Sequence, residues 1–348
     1  MKKQILAVAV AGAFAVPAFA AADSNVTLFG QLQTQIVHHS VSGVPGFNDG
    51  FRVHDGGGAG QPADGANPNR IGVMVSHDLG NGLTALAKLE QDVRTTTGFN
   101  RPARDVYVGL DGDFGRVTAG RMSSPYSTAG KDPLNGTFMQ QRVNGDRFAP
   151  GGFGFGGWAN GSYLDNMVRY SNDFGMVNLD VAAIIDGGDD SDTGYAAKLG
   201  FDVGPVEIYG AYQRGDDNEQ TFGIVGLGPQ TAGKLRMAKI GVDWRQGPWR
   251  VNVEAEDGTV EDQMGNDVVD ANTYFASGSY RMGNNEFALS IGHTDNNIAG
   301  GADVNSVAFG VTHHMSNRVR VFGGVAHTDV RSGGPDATAI GGGMRVSF

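Results

Sequence analysis

Residues 71–92 read Ile-Gly-Val-Met-Val-Ser-His-Asp-Leu-Gly-Asn-Gly-Leu-Thr-Ala-Leu-Ala-Lys-Leu-Glu-Gln-Asp. Ile71, Val73 and Val75 alternate with other residues, so they share one side of an extended chain. After Gly80-Asn81-Gly82, Leu83, Ala85, Ala87 and Leu89 share one face, while Thr84, Lys88, Glu90 and Asp92 share the other. Alternation at period two marks a strand with one apolar face. A link such as Gly-Asn-Gly between two such runs marks a tight hairpin turn. The stretch is therefore two antiparallel strands, each apolar on one side and charged or polar on the other.

The pattern continues in both directions. Val26, Leu28, Leu32 and Ile36 oppose Thr27, Gln31, Gln33 and Gln35, and Trp249, Val251, Val253 and Ala255 oppose Arg250, Asn252, Glu254 and Glu256. Such runs fall near 25–37, 69–78, 83–93, 104–111, 115–121, 167–173, 176–186, 194–203, 205–214, 234–245, 249–257, 272–282, 286–294, 304–315, 318–329 and 337–348, about sixteen in all. Their connections alternate in length. Asp111-Gly112-Asp113, Asp173-Phe174-Gly175, Gly204-Pro205, Gln246-Gly247-Pro248, Asn284-Asn285 and Met315-Ser316-Asn317 are tight turns. Between them lie longer polar connections, the largest over 38–68 and 122–166. The expected fold is all-β: a transmembrane antiparallel up-and-down barrel with short turns at one end and long loops at the other. Both chain ends fall on the short-turn side, which suits closure by pairing the first and last strands. Closure matters because an open edge in lipid would leave a row of unpaired backbone groups.

Residues 1–20 read as a cleaved signal peptide. Lys2 and Lys3 precede a short apolar run from Ile5 to Val16, and Ala18-Phe19-Ala20 fits a cleavage site. The barrel then occupies 21–348. No later stretch is long and apolar enough for a membrane helix. Taking Lys2 and Lys3 from the 26 basic residues leaves 24 against 37 acidic ones, a net charge of −13. So acidic a chain is a poor partner for nucleic acid. The absence of cysteine excludes thiolate metal sites, a catalytic thiol and disulfides.

Four features resemble the general-porin family of Gram-negative bacteria, especially its betaproteobacterial branch. Ser24-Asn25-Val26-Thr27-Leu28-Phe29-Gly30 resembles the family's S-V-T-L-Y-G first strand. Residues 104–121 resemble its R-x-A-F-V-G-L…F-G-x-V-x-x-G-R hairpin, and Met167-Val168-Arg169-Tyr170 resembles the V-R-Y strand after its third loop. The terminal Phe348 resembles the signal read by the barrel-assembly machinery. The resemblance implies a sixteen-stranded homotrimer in the outer membrane, in contact with lipid and lipopolysaccharide, with the third long loop folded into the barrel. It implies passive diffusion of ions and small hydrophilic solutes, and no enzyme activity. The alternatives are a solute-specific porin with a binding site in its channel, or an outer-membrane barrel enzyme; no G-x-S-x-G is present to support the latter.

A barrel of this size is too wide for side chains to fill, so its polar faces line water. Selectivity then depends on charge at the narrowest point. By parity Arg70 and Arg169 point inward. Arg104 shares the parity of Val106 and Val108, and the resemblance sets it at the constriction wall. These three form a candidate basic ladder, with Lys88 on the same inward face. Asp132 and Asp146 of the third loop, with Glu90 and Asp92, form the candidate acidic side, so that a transverse field orients dipolar solutes. No cofactor is expected. The run Asp186 to Asp192 is a solvated outer loop with weak affinity for Ca²⁺ at most, since its spacing is not that of an EF-hand. The eight histidines scatter to both ends of the strands and form no metal site. Tyr209, Tyr212, Trp244, Trp249, Tyr274, Tyr280 and Phe348 are expected as interfacial aromatic anchors.

Overall fold

A computed structural model of the chain describes residues 24–42, 49–55, 68–99, 103–141, 163–185, 193–216, 233–334 and 336–348. The strands are β1 (Ser24–Val41), β2 (Gly50–His54), β3 (Arg70–Gly80), β4 (Leu83–Asp92), β5 (Ala103–Gly112), β6 (Gly115–Ser123), β7 (Tyr163–Asp173), β8 (Val177–Ile184) and β9 (Gly194–Val203). They continue as β10 (Val206–Asp216), β11 (Lys234–Gln246), β12 (Trp249–Glu261), β13 (Asp267–Met282), β14 (Asn285–Asn296), β15 (Val304–His314), β16 (Val319–Val330) and β17 (Asp336–Ser347). A short helix, α1 (Pro125–Ala129), follows β6. Among the described residues no helix is long and apolar enough to cross a membrane.

All seventeen strands form one antiparallel sheet. Sixteen correspond to the predicted runs. The other, β2, lies inside the connection expected to be a loop over 38–68. It exists because β1 is long. The lower half of β1, Ser24 to Gln31, pairs with β3, while Gln35 to His39 pairs with β2. Between them the ladder is completed by a side chain: Asn69 Oδ1 accepts from the Gln33 amide at 2.5 Å, and Asn69 Nδ2 donates to the Gln33 carbonyl at 3.0 Å. On its other edge β1 pairs with β17 from Gln31↔Ser347 to Val41↔Ala337, and Gly30 exchanges two backbone hydrogen bonds with Phe348. The sheet thus closes on itself, and backbone groups that would form a free edge are paired.

The wall is inside-out relative to a soluble protein. On β1, Leu28 is 61% exposed on the outer face, whereas Gln33 on the inner face is 1% exposed. Trp249 and Tyr280 pack against each other near the short turns, ring centroids 4.4 Å apart. One expected anchor is not on the outside: Tyr209 is buried. It shares the inward parity of Ala211 and Gln213, while Ile208 and Tyr212 take the outward positions. The buried apolar clusters do not fill the lumen centre. The two largest lie where the segment after β6 meets the wall, and two smaller ones lie within the wall, around Met122, Leu164 and Met167 and around Val304 and Val330.

Candidate functional site

The connection between β6 and β7 turns inward. Ser124 caps α1, its Oγ accepting from the Ser127 amide at 3.1 Å, and Pro125 occupies the first turn, where a missing N–H costs nothing. Tyr126 and Ala129 of α1 pack on Tyr209, Ala211, Leu235 and Met237 of β10 and β11. Beneath Tyr126 lies a polar cluster. The Lys239 ammonium sits 3.9 Å from the Tyr126 ring centroid, 2.7 Å from Glu256 and 3.8 Å from Glu254. Tyr209 donates to Glu254 at 2.8 Å. A fully buried ammonium is tolerated here because two carboxylates and a ring face replace its water.

Farther along, the chain crosses to the other side of the lumen. Leu134, Phe138 and Met139 are buried against β1 and β14–β17. The wall makes room for them with glycine: a Cβ at Gly310 would stand 2.8 Å from both Leu134 Cδ2 and Met139 Sδ, and one at Gly324 would also meet Met139 Sδ. Polar wall residues hold the backbone of the same segment. Gly136 O accepts from Gln33 Nε2 and Arg345 Nη2, each at 2.7 Å, and the Phe138 amide donates to Gln35 Oε1 at 3.1 Å.

The basic residues named from sequence have different surroundings. Arg104 Nε lies 2.5 Å from Glu90, and its Nη1 lies 3.7 Å from Asp92. Lys88 Nζ is 2.7 Å from both Glu90 and Asp105, and Arg70 reaches Glu90 at 3.8 Å. Arg169 engages Asp180 through both Nε and Nη2 and donates to the Ser123 carbonyl at 3.1 Å. Glu90 and Asp92 therefore stand among the cations and do not face them across the lumen. Asp132 is also not a bare acid. Its carboxylate accepts from the Leu134 and Gln141 amides at 2.9 and 3.0 Å and shapes the loop. Asp146, and the acidic run from Asp186 to Asp192, lie outside the described residues.

The inward turn of Arg104 has a local cause. Leu89 pairs with Val106 and Gln91 with Ala103, so Arg104 and Asp105 together oppose Glu90. This extra residue is a β-bulge, which re-aims a side chain that strict alternation would send to lipid.

Two further inward arginines were not singled out from sequence. Arg345 pairs across β17 with Gln33 on one side and Arg320 on the other. Its Nε donates to Gln33 Oε1 at 2.7 Å, and the like charges of Arg320 and Arg70 act on it. Among the described residues neither Arg320 nor Arg345 has a carboxylate within ion-pair reach. The available signal was parity, since Arg345 sits opposite in direction to Met344 and Val346. Glu286 acts on Arg320 from beyond ion-pair distance, and these surroundings depend on neighbours distant in sequence.

The family model described as Gram-negative porin matches residues 7–333. Outer membrane porin protein 32 of Delftia acidovorans is 26% identical over 345 residues, covering 94% of this chain and 89% of that protein. Major outer membrane protein P.IB of Neisseria gonorrhoeae is 33% identical over a shorter stretch, 37% of this chain and 34% of that protein. Among solved structures, an anion-selective porin from Comamonas acidovorans aligns with a TM-score of 0.71 at 20% identity, over 94% of this chain and 100% of that one. The trimer form of OmpT from Vibrio cholerae aligns at 0.67 and 13% identity, over 93% and 99%.

Proposed function

Since this chain belongs to the Gram-negative porin family, and so forms an outer-membrane channel for passive diffusion of ions and small solutes, we propose that its passage is narrowed by the segment after β6 and favours anions. The supporting observation is an inequality among arginines. Arg104 and Arg169 are matched at ion-pair distance by Glu90, Asp92 and Asp180, whereas Arg345 is hydrogen-bonded to neutral groups and Arg320 has Glu286 only beyond ion-pair distance. With Arg70, whose nearest carboxylate is 3.8 Å away, they make a net positive strip across β16, β17, β1 and β3. Arg70, Lys88, Arg104, Arg169, Glu90 and Asp92 remain wall residues of this constriction, the matched ones serving to hold the wall polar and rigid. Asp132 acts through the loop it shapes, and Asp146 is retained as the acid of the loop's remaining part.

The net charge of −11 does not contradict this reading. Exposed charges more than about 8 Å away are screened at physiological salt, so the nearest charges dominate. The name of the Comamonas porin agrees in sign. We further take the protein to be a homotrimer, in keeping with the trimer form of the Vibrio protein, with residues 1–20 removed and Phe348 read by the assembly machinery. The outward apolar side chains Leu32, Ile36, Phe51 and Val53 offer a face for subunit contact.

The test is the reversal potential of single channels in a planar bilayer under a KCl gradient. A potential of the sign set by chloride, with conductance steps in threes, is the expected result. A potential set by potassium would refute the anion preference.

A further inference from the structure

Between the arginine strip and the short turns, one sector of the lumen wall is apolar. Parity places Phe29 of β1, Met74 of β3 and Leu86 of β4 on the inward face, with Gln33, Arg70 and Lys88. Register sets them on a diagonal. Phe29 is opposite Gly72, Met74 lies between Thr27 and Lys88, and Leu86 lies between Ser76 and Gly109. Diagonal neighbours on adjacent strands stand about 7–8 Å apart, within reach of aromatic and long side chains. The Phe29 ring lies over Gly72, where a Cβ would strike it. Met74 is 43% exposed. Elsewhere toward the short turns the inward positions are polar, as at Ser171, Asn178, Glu207, Asp243, Asn252 and Ser277.

The internal segment does not account for these side chains, since it docks on β10 and β11 and on β1 and β14–β17 through other residues. Positive charge lies beside them. Arg70 is two residues from Gly72, so it stands about 7 Å along the strand from the Phe29 row. Its side chain is 35% exposed and 3.8 Å from Glu90, whereas Lys88 and Arg104, each 15% exposed, approach the same carboxylate more closely. Of the three cations around Glu90, Arg70 is thus the most loosely held and the most open to a second anion. Arg345 stands one row farther from the short turns, on the other side of β1, and is repelled by Arg70. An anion beside Arg70 is therefore attracted by both charges.

We propose that this sector is a channel subsite for carboxylates that carry an aromatic ring, the carboxylate at Arg70 and the ring across Phe29 and Met74. The proposal rests on the anion preference put forward above and narrows it to a substrate class. The separation of about 7 Å between the Arg70 and Phe29 rows suits a ring joined to its carboxylate by a short alkyl spacer, as in an arylpropanoate. Phe29 offers the ring an offset or edge contact, and Met74 a flexible, polarisable thioether that adapts to its edge. A hydroxy acid without a ring meets Arg70 alone. An aryl cation meets the apolar patch but is repelled by the arginines.

The experiment measures block of the chloride current through the purified full-length protein in planar bilayers by 3-phenylpropionate, gluconate and benzyltrimethylammonium. 3-Phenylpropionate is expected to halve the current at about a tenfold lower concentration than gluconate, the gain from covering an apolar patch with a ring. Benzyltrimethylammonium is expected to block no better than gluconate. Met74→Asn should raise the half-blocking concentration of 3-phenylpropionate about fivefold, the loss of a thioether–ring contact, without changing that of gluconate. Arg70→Gln should raise both about tenfold, the effect of one charge-assisted hydrogen bond. Phe29→Asn should act as Met74→Asn does, and replaces it should that variant fail to assemble. Equal block by 3-phenylpropionate and gluconate, or block by 3-phenylpropionate unaltered in both patch variants, would overturn the proposal. So would equal block by benzyltrimethylammonium, since the ring would then bind without regard to charge. The reversal potential of the same channels in KCl separates the two readings: a chloride-set potential without selective block sinks the aryl subsite alone, whereas a potassium-set potential sinks the anion preference on which it rests.

Discussion

Replacing Arg320 by Gln removes one inward positive charge that has no carboxylate at ion-pair distance, Glu286 acting on it only from farther away. A monovalent ion passing about 6 Å away in water gains or loses about 0.7 kcal/mol from that charge. The effect has opposite sign for anion and cation, so the difference is about 1.4 kcal/mol, a tenfold change in their ratio. Salt reduces it. At 0.1 M, with a Debye length of about 10 Å, roughly half the interaction survives and the chloride-to-potassium permeability ratio should fall about fourfold. At 1 M, with about 3 Å, the change should shrink to less than about 1.5-fold. The assay is the reversal potential of single channels under matched KCl gradients at the two salt levels. The control removes an ion pair, Arg169→Gln with Asp180→Asn, which changes no net charge. An unchanged potential in the Arg320 variant, or an equal shift in the control, would refute the idea that unmatched arginines set selectivity.

Three other outcomes are expected. Lys239→Met leaves Glu254 and Glu256 buried without their cation, and should destabilise the folded barrel by about 3–5 kcal/mol, read as a lower urea midpoint; adding Glu254→Gln and Glu256→Gln should recover most of the loss. Met139→Ala opens a void where a fully buried side chain packs against β15 and β16. It should weaken docking of the internal segment by about 2–5 kcal/mol, seen as larger and noisier single-channel currents with little change in the wall's unfolding midpoint. The Asp262 carboxylate, in the turn after β12, accepts from Asn266 and from the Met264 amide, which holds its pKa below the ordinary aspartate value of 3.8. The turn's added stability is therefore present above that value and lost as pH falls through the lowered one. The Asn266 amide shift should report this titration, and a midpoint at or above the ordinary value would contradict the assignment.

The alternation in residues 71–92 was enough to tell which side chains face lipid and which face water, and the turns at Gly80-Asn81-Gly82 and Gly204-Pro205 were enough to set strand ends. Both are local: successive side chains on a strand point to opposite sides whatever the strand pairs with. The same rule failed at Arg104, where a bulge against Glu90 reversed the direction. It had no means of finding β2, whose pairing depends on the length of β1. Tyr209 was legible by parity, yet its partners, Glu254 and the internal helix, lie on elements far away in the chain. Arg345 could be read as inward, but its freedom from carboxylates and its hold on Gly136 come from strands and a loop more than two hundred residues apart. The sequence by itself thus determined the barrel and the polarity of its faces, because those follow from period and turn chemistry along the chain. Only the tertiary structure decided which charges are matched and how the internal segment is held, because those depend on register between strands and on packing across the lumen.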